Sequence, residues 1–390
     1  MKLTKCFFSS VLICLLAGCS LFGGEEEIVQ ISPSPKVKSQ FPIQQIWRNN
    51  TAGNTQIYSL LGPASYDNII YVASRSGQVK AIDLSNGHTI WDVNLSQSTF
   101  FSSKTALFSG GVSVDDKYVY IGSERAVVYA LDRNNGKVIW EKNVKGEVLA
   151  RPVSFQDKLI IHTANGILQG LNSNTGEDLW DVTLDAPTLS LRGNSTPTVV
   201  HGAAIVGDDS GRVNAYYIND GQLIWQQRIS QPTGSTEIAK LNDVDSTPVV
   251  EGNLVYSVGY NGNVVALDLS NGQIVWRKQL GSTHSFAVDS QQIFIVDQDD
   301  NVQAITKKGG AVDWTQSSLL HRQLTDPVIY QNYIIVGDFE GYLYLLNKDS
   351  GEIVAKTEIS SSGLISRPLV VDNKIIVQAK NGDIYAFTKN

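Results

Sequence analysis

From about residue 45 onward, short apolar runs alternate with turn residues. Residues 247–276 show the pattern most clearly. Thr247-Pro248-Val249-Val250 opens it and Leu254–Val258 follows. Asn261-Gly262 makes a turn, Val264–Asp268 comes next, Asn271-Gly272 turns again, and Ile274-Val275-Trp276 closes the unit. Short runs bounded by Asn-Gly pairs, which reach positive φ easily, read as four β-strands joined by tight hairpins. No stretch of this part carries the apolar spacing of a helix.

The unit repeats. Trp47, Trp91, Trp140, Trp180, Trp225, Trp276 and Trp314 lie 44, 49, 40, 45, 51 and 38 residues apart, and Ala355 stands a further 41 on. Four residues before each position from Trp91 to Ala355 is a glycine: Gly87, Gly136, Gly176, Gly221, Gly272, Gly310 and Gly351. Four residues earlier come Asp83, Asp132, Asn172, Tyr217, Asp268, Thr306 and Asn347. Two before those are Ala81, Ala130, Gly170, Ala215, Ala266, Ala304 and Leu345. An Asp or Asn here can accept the amide bonds of the turn that follows. The small residue is expected to let a neighbouring sheet approach. The tryptophan offers a plate to wedge between adjacent sheets.

Four-stranded units repeated at this period predict an all-β chain folded as a β-propeller, where radial repetition leaves only short protected edges. The two ends set the blade count. A last copy, with Gly382, Ala386 and Thr388, stops before its fourth strand, and Gln45-Ile46-Trp47 is a fourth strand with nothing before it. Joined, they complete an eight-bladed β-propeller of four-stranded antiparallel blades over residues 45–390, the last blade closed by the N-terminal strand.

Charge and cysteine content narrow the function. Lys and Arg total 31 against 38 Asp and Glu, a net charge of −7. Such a chain is a poor partner for nucleic acid, where neutralising phosphate supplies most of the affinity. The three cysteines are Cys6, Cys14 and Cys19. The body after them therefore has no disulfide, Cys-ligated metal or Cys nucleophile. His88, His162, His201, His284 and His321 show no metal-ligand spacing, and no P-loop, G-x-G-x-x-G or G-x-S-x-G motif appears. Asp297-Gln298-Asp299-Asp300-Asn301 hints at a calcium loop, but Val302 stands where glycine is needed and Lys308 where glutamate is needed. A polar turn is expected there, with no metal and no cofactor.

The N-terminus reads as an address. Lys2 and Lys5 precede an apolar stretch from Phe7 to Ala17, too short to span a bilayer core of about 30 Å. Leu16-Ala17-Gly18-Cys19 resembles the lipobox of bacterial lipoproteins. That resemblance implies a signal peptide over residues 1–18 and lipidation (palmitate included) of Cys19. Ser20 after the cysteine implies sorting to the outer membrane. The stretch to residue 44 holds Gly-Gly, three glutamates, Pro33 and Pro35, and is expected to be a flexible tether.

The repeat A-x-D-x-x-x-G-x-x-x-W resembles that of quinoprotein (PQQ-type) propellers. More narrowly, the chain resembles the BamB family, lipoprotein propellers of the outer-membrane β-barrel assembly (BAM) machinery. Beyond the lipobox with Ser20-Leu21-Phe22, the match rests on residues 189–193 (LSLRG), 225–231 (WQQRISQ), 233–238 (TGSTEI) and 243–245 (DVD). The resemblance implies a non-enzymatic scaffold on the periplasmic face of the outer membrane, bound to BamA through its periplasmic POTRA region and aiding insertion of outer-membrane proteins. Unfolded outer-membrane proteins are a further expected partner. It also implies that Leu189, Leu191, Arg192, Asp243 and Asp245 contact BamA.

Two other readings remain. One is a quinone-dependent oxidoreductase. Against it, no cysteine is available for the vicinal disulfide of many quinoproteins, and every tryptophan is used by the repeat. The other is a periplasmic propeller with a different envelope partner. Three connectors between units are long, at residues 92–111, 181–196 and 226–247, and all join a fourth strand to the next first strand, so they share one face. Leu189 and Leu191 fall on one side of an extended segment beside Arg192. They read as an interface anchor or as a cluster tucked under the loop. Asp243 and Asp245 read as an acidic pair for a basic partner or as part of a solvated turn. Phe100 and Phe101 on the first connector have no assigned role.

Overall fold

The hairpins form because the turn chemistry is local and repeated. Asp83 Oδ1 accepts the amides of Ser85 and Asn86 at 2.8 and 3.2 Å. Asn172, Asp268 and Asn347 bond the equivalent turns. The glycine that ends each of these turns sits in the left-handed region, Gly87 at φ 75°. The earlier turn of each unit also needs positive φ. Where its usual glycine is missing, Ala126 and Asp300 adopt the same region, at φ 56° and 65°.

A computed structural model describes residues 29–51, 61–99, 102–231 and 234–389, with the side chains of 97–104 left aside. Eight antiparallel four-stranded sheets follow in chain order. Blade 1 comprises Ala64–Tyr66, Ile69–Ala73, Gln78–Asp83 and Thr89–Asn94. Blades 2 to 7 repeat this order, blade 7 being Val328–Tyr330, Tyr333–Gly337, Tyr342–Asn347 and Ile353–Glu358. Blade 8 joins Leu369–Val371, Lys374–Gln378 and Asp383–Lys389 to Ile43–Asn50, so the eight-bladed expectation holds, the N-terminal strand closing the ring. First strands of adjacent blades touch, which puts them at the axis. Fourth strands pair only with the third strand of their own blade and form the rim. Residues 97–99 and 102–104 of the first long connector pair as a separate two-stranded sheet, and Phe100 and Phe101 lie outside the described residues.

The tryptophans lock seven of the eight junctions between blades, all but that from blade 7 to blade 8. Trp47 Nε1 donates to the Leu84 carbonyl of blade 1 at 2.9 Å. The other six repeat the bond, from Trp91 to Arg133, Trp140 to Ser173, Trp180 to Ile218, Trp225 to Leu269, Trp276 to Lys307 and Trp314 to Lys348. Each indole also packs under the next blade's turn glycine. A Cβ on Gly87 would stand 2.7 Å from the Trp47 ring, and one on Gly272 would stand 2.6 Å from that of Trp225.

The small residue of the third strand does something other than expected. It lies opposite the tryptophan of its own blade, as Ala81 faces Trp91 and Ala266 faces Trp276. A Cβ on Gly170 would sit 2.4 Å from the Trp180 ring. The small residue therefore makes room for the indole on its own sheet, not for a neighbouring sheet. Part of the expected tether is also placed against the body. Ser32 N donates to the Leu320 carbonyl at 3.0 Å and Gln40 N to the Val354 carbonyl at 2.8 Å. The signal peptide and Cys19 lie outside the described residues.

Candidate partner-binding loops

The connector face carries the fourth-to-first connectors together with the turns between second and third strands, since Asn242 of one connector bonds the Ser210 carbonyl of blade 4's turn. Connectors 181–196 and 226–247 flank blade 4 and meet there. The Leu191 amide donates to Asp243 Oδ1 at 2.8 Å. Gly193 presses on Asp245 so closely that a Cβ would stand 2.5 Å from its Oδ2. The short loop 189–193 is thus stapled from below by the second connector, 52 residues further along the chain.

Above the staple the loop shows its side chains. Leu189 is 48% exposed, Leu191 half-buried and Arg192 exposed. Arg192 reaches Glu124 at 3.0 Å and Glu147 at 3.4 Å, and Arg75 bonds the same Glu124 at 2.5 Å. A charged chain therefore runs from blade 1 to the loop. It fixes where Arg192 sits while leaving it accessible. Ile238 projects from a helical turn of the second connector, 70% exposed.

Below the staple is an acidic cluster that changes the reading of Asp243 and Asp245. Asp243 is buried and Asp245 half-buried, so they are not an acidic pair displayed to a partner. Asp209, in the adjoining turn of blade 4, is buried beside them. Burial, then the charge of Asp243, pushes the Asp209 carboxyl up to about 7. Burial lifts Asp245 well above the carboxylate range, with Asp209 and Asp243 adding to it. Burial raises Asp243 too, against the Leu191 amide, which favours its charged form. Asp243 Oδ2 and Asp245 Oδ1 have no partner among the described residues. Like charges this close cannot all ionise in a poorly solvated site, so the cluster holds protons near neutrality. Sequence reading missed Asp209, Glu124 and Glu147, because nothing local connects them to the loop.

Two of the histidines, His162 and His284, bond other groups of the propeller. His162 Nδ1 lies 2.9 Å from the Ser195 carbonyl, and burial pulls its pKa down to about 4. His284 meets Asp326 at 3.1 Å; burial disfavours its charge, but the bond to Asp326 and the charges of Asp326, Asp300 and Asp297 together outweigh this and raise its pKa. Asp297 caps the turn in which the faint calcium-loop pattern falls, accepting the amides of Asp299 and Asn301. Among the described residues no three His, Cys, Asp or Glu side chains gather as a metal site.

Residues 75–316 match the family model described as outer membrane protein assembly factor BamB. The curated protein of that name from Yersinia pestis is 50% identical over 382 residues, 97% of either chain. That from Escherichia coli K12 is 49% identical over 392 residues, spanning both chains in full. Among solved structures, BamB from Moraxella catarrhalis superposes with a TM-score of 0.79 at 26% identity, covering 89% of this chain and all of that one. A europium-containing methanol dehydrogenase shares the fold, with a TM-score of 0.72 at 12% identity over 89% of this chain and 93% of that one. The length of the match and its identity, on a ring of eight blades with seven tryptophan-locked junctions, place this chain in the outer membrane protein assembly factor BamB family.

Proposed function

We propose that the chain is a non-enzymatic scaffold for outer-membrane protein assembly, anchored through a lipid on Cys19 to the periplasmic face of the outer membrane and bound to the POTRA region of BamA. The observation that carries this reading is the stapled loop. Leu189 and Arg192 stand exposed on a segment whose backbone is tied down at Leu191 by Asp243. An apolar anchor and an arginine on a preorganised loop suit a partner surface, because little conformational freedom is lost on binding. Asp243 and Asp245 then act from beneath as positioning residues. An extended loop also suits strand addition to an exposed sheet edge of a mixed α/β domain.

A scaffold reading is preferred to a quinone-dependent oxidoreductase because all seven indoles are committed to contacts between blades. Direct contact with unfolded outer-membrane proteins draws support from the rim. Ile46, Ile90, Ile139, Leu179, Leu223, Val275 and Val312 are exposed on outer strands whose edges are open to strand addition.

Co-purification of residues 20–390 with the periplasmic domains of BamA tests the reading. The unaltered body binds, and the Leu191→Ala, Arg192→Ala double variant, folded by circular dichroism, does not. Retention of binding by the double variant removes the loop assignment. Failure of both to bind sends the search to another envelope partner.

A further inference from the structure

Among the described residues, the rim edge of blade 7 is covered by a further segment of the chain. The residue before the tryptophan is 47% exposed as Ile90, 43% as Ile139 and 57% as Val275. At the same place on blade 7, Val354 is only 3% exposed. The chain's own residues 32–41 account for the difference. Gln40 N donates to the Val354 carbonyl at 2.8 Å, and Ser39 Oγ bonds the amide and carbonyl of Lys356 at 3.1 and 3.3 Å. Phe41 packs on Tyr333, ring centroids 5.1 Å apart.

The segment then leaves the rim and crosses to the connector face. Lys356 Nζ reaches Ser34 Oγ and the Pro35 carbonyl while lying 3.8 Å from the centre of the Tyr342 ring. Ser34 Oγ bonds the Tyr344 hydroxyl at 2.9 Å. The path ends at the blade 6–7 connector, where Ser32 N donates to Leu320 and the Ser32 carbonyl accepts from Arg322 Nη1 at 2.8 Å. Arg322 is 1% exposed and held by Asp338 and Glu340. Most of its donors are satisfied within blade 7, and one is given to the segment.

We infer that residues 32–41 are a clasp that moves the exit point of the membrane tether from the rim beside Ile43 to the connector face beside blades 6 and 7. The clasp also shortens the tether. Between Cys19 and Ser32 lie thirteen peptide units, whose covalent reach is at most about 45 Å. Released from the clasp, the tether would run to Ile43, with a covalent reach of at most about 84 Å. A lipid surface holding this chain at Cys19 would therefore lie near the face that carries loop 189–193. The inference rests on the proposed anchoring for its meaning in the cell, and the test supplies the anchor chemically.

Cys19 is the sole thiol of residues 19–390. A maleimide lipid coupled there fixes the protein to phosphatidylcholine vesicles whether or not the cell acylates that residue. Between Cys19 and the body the first trypsin sites are Lys36 and Lys38, both within the clasp and both with exposed side chains. Release of the body by trypsin therefore reads opening of the clasp. The comparison is Ser32→Pro with Gln40→Pro, which removes two backbone donors without touching a propeller residue. Circular dichroism and thermal unfolding check that its body is intact. The unaltered protein is released at least about tenfold more slowly than the variant. Photocrosslinking from vesicle headgroups labels residues 317–327 in the unaltered protein and shifts toward Tyr333 and Thr388 in the variant. Equal release rates, or label maps that do not differ, overturn the proposal.

Discussion

Leu345 and Ala355 face each other across the third and fourth strands of blade 7, where every other blade sets an alanine or glycine against a tryptophan. The exchange has a cause in the ring. Each indole docks under the third-to-fourth-strand turn of the next blade. Blade 8 has no such turn, because the chain's two ends meet there. A tryptophan at position 355 would have no turn to dock under. The larger leucine takes up the space across the sheet.

This relation predicts coupling in the other blades. Ala266→Leu alone crowds Trp276 and costs about 1–3 kcal/mol. Trp276→Ala alone costs about 3–5 kcal/mol. The double variant, which recreates the blade 7 pair, is destabilised by less than the sum, by about 1 kcal/mol or more. Urea unfolding of the four proteins measures it. Strict additivity would show that the two sites do not share one space.

Ring closure rests on Trp47 as much as on the strand pairing around it. Trp47 is buried, and its neighbour Arg48 bonds Asp383 at 2.7 Å, across the junction of the chain ends. Trp47→Ala is expected to cost about 3–5 kcal/mol, as much as Trp225→Ala inside the ring. A loss below about 1 kcal/mol in chemical unfolding would mean that the closure contributes little.

The acidic cluster predicts an unusual pH dependence. The folded-state pKa of Asp209 is raised to about 7, above its unfolded value. Between about pH 4 and 7 the folded state holds a proton that the unfolded state has lost, so this group's contribution to stability falls as pH rises through that window. Asp209→Asn should raise the thermal midpoint at pH 8 by a few degrees and change it little at pH 4. A variant no more stable than the parent at pH 8 counts against a protonated cluster.

Arg322 and Asp338 form a pair with side chains 1% and 0% exposed. Removing one partner strands a buried charge. Asp338→Ala is expected to cost about 3–5 kcal/mol, whereas Glu340→Ala, whose carboxylate is part-exposed, costs far less. Thermal and urea unfolding compare them. Equal costs would mean that burial of the pair does not decide its weight.

The repeat was legible in residue order because its causes are local. A glycine, an Asx residue and a tryptophan at fixed offsets dictate turn, hairpin and rim, and the complementary halves of a blade at residues 45–47 and 382–388 set the blade count. The long connectors on one face followed from counting alone. The candidate site was legible only as residue types. Asp243-Val244-Asp245 reads the same whether it faces water or the underside of another loop. Its burial depends on loop 189–193, brought to it by packing around blade 4. The clasp was hidden for the same reason, since Ser34 and Tyr344, 310 residues apart, meet only when the ring is closed. Alternation and turn chemistry act between neighbours in the chain and so appear in the sequence by themselves. Desolvation, the raised carboxyl pKa values and the covering of the blade 7 rim edge depend on which surfaces the closed ring brings together, and the tertiary structure alone decided them.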